Sequence, residues 1–272
     1  MRPDSQRPGT PRAPAAPAAR ALLLALAPAG LLACAPSPLV HPRAAEQLQR
    51  GYQHLAARDE ERAAVAFEHA LEFAPDLPEG WNGLGVVARS RGDLEAARRA
   101  FTRAVRLAPA FAEGHANLGE ALLAGGRPAE AADALRAALR IDPDLQGARL
   151  NLARSLLHQG LLGPEERSAR WAEARHEYLH LLEVDPESPA AAQDLAFMAY
   201  LEGRPEEAAA GYARAADRRE TPEARLGQCL SLLRLGRCDE GRAACDRCLA
   251  LTPGREDCRA ARRGADACGE GP

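Results

Sequence analysis

Lysine is missing from the 272 residues, so all 35 basic side chains are arginines. Isoleucine occurs once, at Ile141, and aromatic residues make up only 4%. Strands draw on β-branched and aromatic residues, so this composition excludes a mainly β or α/β fold. Abundant Ala, Leu, Glu and Arg favour an all-α one. No excess of positive charge is present: the formal net charge is −3, which argues against a nucleic-acid binder with its basic stripe. The apolar run ALLLALAPAGLLA at 21–33 has 13 residues. That is short of the ~20 needed to span a bilayer, and Pro28 and Gly30 interrupt it. Neither a Gly-rich phosphate loop nor a nucleophile elbow is found, and His41, His54, His69, His115 and His158 are scattered without suggesting a triad.

The apolar run has a different meaning. Arg2, Arg7, Arg12 and Arg20 precede it against a single acid, Asp4, the layout of a secretory signal. It ends in Leu31-Leu32-Ala33-Cys34, which resembles the bacterial lipobox. That resemblance implies a lipoprotein signal peptide at 1–33 and a diacylglyceryl Cys34 as the mature N-terminus. An ordinary signal with an incidental cysteine is the alternative. Ala35 follows the cysteine; by the enterobacterial sorting rule, where Asp retains a lipoprotein at the inner membrane, this implies the outer membrane. The mature chain would carry 31 Arg against 37 acids. It has no polybasic patch, so the lipid would be its membrane contact. Residues 34–43 are expected to hold the lipidated cysteine and a Pro-rich tether, with Pro36, Pro38 and Pro42 extending it over roughly 28 Å.

The rest of the chain repeats. Small residues recur at Gly51, Gly85, Gly119, Ala153, Ala196 and Cys229, and again at Ala63, Ala97, Ala131, Ala174, Ala208 and Gly241. A bulky column runs Phe67, Phe101, Leu135, Tyr178, Tyr212 and Cys245, and a further column runs Ala70, Ala104, Ala138, Leu181, Ala215 and Cys248. Pro75, Pro109, Pro143, Pro186 and Pro253 close the units, which are 34 residues long in the first three. The second unit carries the pattern most fully: Trp81, Leu84, Gly85, Ala97, Phe101, Ala104 and Pro109. The pattern resembles the tetratricopeptide repeat family, two antiparallel helices per unit. This implies an all-α, right-handed superhelical solenoid of about six helix-turn-helix units: 44–77, 78–111, 112–145, 146–188, 189–221 and 222–255. A cap helix and tail follow at 256–272. Small columns let helix backbones approach closely. No unit buries its apolar face alone, so stability comes from stacking on neighbours.

Two units depart from the pattern. The fourth has nine surplus residues, expected in the stretch LLHQGLLGPEERSAR as a lengthened turn. The fifth is one residue short and has Glu220 in place of the closing proline, which puts its packing on the sixth in question.

The resemblance also implies a concave groove lined by the first helices and filled by a protein or peptide partner. Tyr52, Asn82, Val86, Asn117, Glu120, Asn151, Arg154, Phe197 and Tyr200 are its expected lining. An asparagine amide both donates and accepts, so it can pair with a peptide backbone whatever the peptide's side chains. Exchanging Asn117 and Asn151 for Ala is expected to weaken binding and leave stability nearly intact. A basic carboxylate clamp is missing from this groove. No cofactor and no small-molecule substrate are expected. The layout resembles the pilotins of type IV pili, lipoproteins with six such units that help a secretin ring assemble; the alternative is a generic scaffold for envelope assembly, peptidoglycan machinery or outer-membrane protein insertion. The competing enzyme reading is His176-Glu177-Tyr178-Leu179-His180, an H-E-x-x-H pattern with His176 and His180 as weak zinc-ligand candidates and Glu177 as general base. Tyr178 and Leu181 fall in the packing columns, so this segment also reads as an ordinary second helix with both histidines exposed.

Six cysteines crowd into the last 44 residues, an even number in a chain read as exported, which suggests three disulfides. Residues facing each other across an antiparallel hairpin have constant index sums. This favours Cys238–Cys268 and Cys248–Cys258 about the turn at Pro253, and Cys229–Cys245 about Gly236. Cys248 also faces the first helix and is an alternative partner for Cys229. A metal cluster or a redox pair at 245–248 is a further alternative.

Overall fold

A computed structural model describes residues 41–268; the signal segment, Cys34 and most of the tether lie outside the described residues, as does the tail beyond 268. Thirteen α-helices and no strand are found among the described residues. They pair in chain order: α1 (Pro42–Ala56) with α2 (Glu60–Phe73), α3 (Pro78–Ser90) with α4 (Leu94–Leu107), and α5 (Ala112–Ala124) with α6 (Pro128–Ile141). Then come α7 (Gln146–Leu162) with α8 (Arg167–Val184), α9 (Pro189–Leu201) with α10 (Pro205–Arg218), and α11 (Pro222–Arg234) with α12 (Cys238–Leu251). Helix α13 (Glu256–Ala267) covers the end. Each hairpin stacks on the next.

Local chemistry sets these ends. Proline opens α1, α3, α6, α9, α10 and α11, where its missing N–H is no loss. The side chains of Asp59 and Asp93 accept from the amides of Arg62 and Ala96 at the starts of α2 and α4, satisfying orphan donors. In every hairpin but the fourth, the inner turn holds one residue in the left-handed region. Glycine supplies it at Gly92, Gly126, Gly203 and Gly236, with φ between 71° and 79°. In the first hairpin Arg58 takes that place, with φ of 58°.

The small and bulky columns are all buried. The Phe67 ring lies between α1 and α3, so close that a Cβ on Gly51 or on Gly83 would fall 2.5 Å from it. Gly85 stands in the same relation to Phe101, and Gly119 to Leu135. The glycines are therefore the space into which the bulky column packs. The largest continuous core runs through the middle of the array, from Leu122 to Met198, and includes Leu135, Leu156, Trp171 and Tyr178.

Two expectations need correction, and one open question is answered. The tether does not extend to 43: α1 begins at Pro42, with His41 Nδ1 accepting from the Arg43 amide at 3.3 Å, because a proline after a capping side chain starts a helix as readily as it ends one. The fourth unit does not spend its surplus on a turn. α7 has 17 residues and α8 has 18, against 13 and 14 in α3 and α4, so each helix is about one turn longer and their connection is only residues 163–166. The added turns pack on each other: a Cβ on Gly160 would sit 2.4 Å from the Trp171 ring, and Trp171 Nε1 donates to the Leu157 carbonyl at 3.2 Å. At the end of the fifth unit, Glu220 accepts from Arg225 at 2.8 Å and from Arg247 at 3.0 Å. These two guanidiniums hold its carboxyl below the usual range. Glu220 therefore ties the connection to both helices of the sixth hairpin.

A concave candidate binding site on the first helices

Side chains from α1, α3, α5 and the start of α7 enclose a concavity of about 680 Å³. Tyr52, Asn82, Val86, Asn117, Glu120 and Asn151 line it, together with Glu113, Ala116 and Asp144. All three asparagines of the chain therefore meet in one place. Their roles differ. Asn117 Nδ2 donates to Asn82 Oδ1 at 2.9 Å, and Asn82 is only 5% exposed. Asn82 is thus committed to joining α3 to α5 rather than free for a ligand. Replacing Asn117 would strand its buried oxygen, so the expectation that stability is untouched does not hold. Asn117 keeps its carbonyl oxygen and one N–H in hand. The Asn151 side chain makes no hydrogen bond among the described residues.

At one end of the site the Tyr52 ring meets Phe67 edge-on, with centroids 5.2 Å apart. Burial pushes its hydroxyl pKa up; a hydrogen bond from Asn82 opposes this, and the charges of Glu79 and Glu113 add to the rise. Glu120 is ion-paired to Arg89 across the second and third hairpins.

Arg154, Phe197 and Tyr200 lie outside this concavity. Arg154 Nε donates to Asp194 at 2.6 Å. Tyr200 carries the Arg234 guanidinium 5.2 Å from its ring centroid, and Phe197 is 38% exposed. The partner of Arg154 was open to recognition in the sequence. Asp194 occupies in α9 the repeat position that Asn117 and Asn151 occupy in α5 and α7, but the nine inserted residues mask the spacing. Burial raises its pKa despite the opposing pull of Arg154. The adjacent Tyr178 hydroxyl is buried without a partner and is pushed up strongly by burial and by the Asp194 charge.

The H-E-x-x-H segment lies within α8. Tyr178 is fully buried and Leu181 nearly so. Glu177 is held by Arg149 of α7 at 2.7 Å, with both side chains about 15% exposed. A carboxylate fixed in such a pair is a poor general base. His176 is exposed, but His180 is half-buried rather than exposed: it adjoins the packed Leu181, and its Nδ1 is shielded from solvent. Among the described residues no three His, Cys, Asp or Glu side chains gather as a metal site.

At the far end, Cys229 and Cys245 have Cα atoms 5.3 Å apart, Cys238 and Cys268 5.6 Å, and Cys248 and Cys258 6.0 Å, each pair with sulfurs in bonding contact. These separations suit disulfides. The first pair links α11 to α12, and the other two link α12 to α13 and its end.

No curated protein matches the sequence. Solved structures do match in fold. PilW, a widely conserved type IV pilus biogenesis factor, superposes with a TM-score of 0.71 at 21% identity, covering 81% of this chain and 98% of that one. PilF of Pseudomonas aeruginosa gives 0.67 at 20% identity, over 80% and 96%. A tetratricopeptide protein of Thermus thermophilus gives 0.59 at 22%, over 69% and 98%. The sequence profile of the tetratricopeptide repeat matches residues 48–110, 84–146 and 202–256, together more than half of the chain. With its stacked helical hairpins and buried repeat columns, the chain belongs to the tetratricopeptide repeat family, whose members serve as protein-interaction scaffolds.

Proposed function

We propose that this protein is a lipid-anchored adaptor on the periplasmic face of a bacterial outer membrane. It holds a protein partner in the concavity of its first helices and assists assembly of an envelope complex, with a pilus or secretin machine the favoured case. The observation that carries the reading is the concavity itself. It brings Tyr52, Asn117 and Asn151 from three different hairpins to one opening, in a fold shared with a type IV pilus biogenesis factor. The lipobox-like sequence ending at Cys34 supports anchoring. Among the described residues no helix is long and apolar enough to cross a membrane. The paired cysteines support three disulfides and hence an oxidising compartment.

The test is site-specific. A photo-cross-linking residue replaces Asn151 in one variant and the exposed Arg140 of α6 in another, both expressed in the native host. An envelope protein captured from position 151 and not from 140 is the expected result. Capture only from 140 would place the working surface on the other side. Mass spectrometry of the mature N-terminus is expected to show diacylglyceryl Cys34; a soluble protein with a free N-terminus elsewhere would remove the anchor.

A further inference from the structure

The lining of the concavity is uneven in a way that specifies its occupant. Three carboxylates contribute to it, Glu113, Glu120 and Asp144, and no arginine or histidine does. Glu120 is bound by Arg89, but Glu113 and Asp144 have no ion-pair partner among the described residues. Elsewhere on the array, carboxylates at contacts between hairpins are taken: Glu173 by Arg136, Asp194 by Arg154 and Glu202 by Arg175. The uncharged groups lean the same way. Asn117 has spent one N–H on Asn82 and retains its full carbonyl oxygen. Gln146, also in the lining, has a buried Oε1 with no hydrogen-bond partner. The site is therefore rich in acceptors, and Val86, Ala116 and Ala148 form apolar walls that focus the negative field. At its edge Tyr52 is 40% exposed and can offer an aromatic face to a cation. Arginine and lysine side chains are the donor-only, cationic groups that match such a lining.

Resting on the reading of the concavity as the partner site, we propose that it takes an extended peptide segment carrying an arginine or lysine side chain. The cation enters beside Glu113 and Asp144, Tyr52 lines the opposite end, and the peptide backbone pairs with Asn117 and Asn151. At about 680 Å³ the site is within the ~300–1,000 Å³ range of ligand sites, enough for a few residues. An acidic segment or a free C-terminal carboxylate is repelled by the same charges.

Three fluorescent octapeptides of Ala and Ser, with a central Arg, Leu or Glu and a terminal benzophenone, provide the test with the purified protein. The Arg peptide is expected to bind at least tenfold more tightly than the Glu peptide. That difference should shrink at high salt and vanish in Glu113→Gln/Asp144→Asn, two exposed positions whose exchange leaves the helices intact by circular dichroism. Its cross-links should map to α3, α5 and α7. If the Leu or Glu peptide binds as tightly and cross-links there, the preference for a cation is overturned while the concavity remains the binding site. Cross-links confined to other surfaces, or no binding of any peptide at millimolar concentration, overturn both.

Discussion

The middle of the array and its carboxy-terminal end solve one packing problem by different means. In the middle the bulky column holds Phe101, Leu135 and Tyr178, each fully buried. At the end the same column holds Cys245, the small column of the first helices holds Cys229, and the column that begins at Ala70 holds Cys248. The terminal core is correspondingly thin: Ala209, Cys229, Leu232, Ala244, Cys245 and Ala261. A terminal unit lacks one neighbour and so lacks half of its stacking. Cysteine there replaces apolar volume with sulfur pairs placed for cross-linking. With the proposed disulfides formed, a small core and a covalent staple are alternatives for the same energy.

Substitutions test how far that equivalence goes. Phe101→Ala is expected to have the largest effect, about 3–5 kcal/mol, since a fully buried ring is lost and a cavity remains. Denaturant unfolding followed by circular dichroism measures it. A loss below about 1 kcal/mol would mean that the neighbouring glycines let the helices close the gap. Next comes Cys229→Ser with Cys245→Ser. The pair closes a sequence separation of 16, which corresponds to about 3 kcal/mol in the chain-entropy model. Hydrogen exchange should then rise in α11–α13 and stay unchanged in α3–α6; a uniform rise would show that the staple supports the whole array and not its end. Smaller still is Arg58→Gly in the first hairpin. Relief of a left-handed arginine, less the entropy of a new glycine, predicts a gain of up to about 1 kcal/mol, read as a raised thermal midpoint. Exposed pairs such as Arg127–Glu130 should contribute least, within the scatter of the same measurement.

The contact between the fourth and fifth hairpins adds a pH dependence of its own. Burial raises the folded pKa of Asp194 above its unfolded value. Its contribution is therefore fully present below the unfolded pKa, near 4, and declines as pH rises through the folded one. Stability measured against pH should fall more steeply over that window in the wild type than in Asp194→Asn. Parallel curves would show that Arg154 fully compensates the buried charge.

The repeat columns made the hairpins legible, because a small residue every unit has one geometric use: close approach of two backbones. The turn at Gly236 was legible for a similarly local reason. The fourth hairpin was not. A nine-residue surplus containing Gly163-Pro164 looks like a loop when read locally, yet Trp171 settling on Gly160 makes two longer helices the better packing. Nor was the bond between Asn82 and Asn117. The two side chains differ in repeat register by one residue, and only the stacking of α3 on α5 brings them within reach. Glu220 shows the same limit: in sequence it is a missing proline, in the fold it is the anchor of two arginines.

What the sequence by itself determined is the periodic part of the molecule: thirteen helices' worth of local signals, a hairpin every unit, and a column of cysteines at one end. These follow from backbone sterics and burial, which act on each unit alike. Only the tertiary structure decided which polar groups are spent and which are free. Asn82 is committed, Asn117 half committed and Asn151 open; Asp194 is paired with Arg154, while Glu113 and Asp144 have no ion-pair partner among the described residues. The reason is range. A hydrogen bond or ion pair forms only when two side chains from different hairpins come within about 3 Å, and the stacking of one hairpin on the next sets that distance.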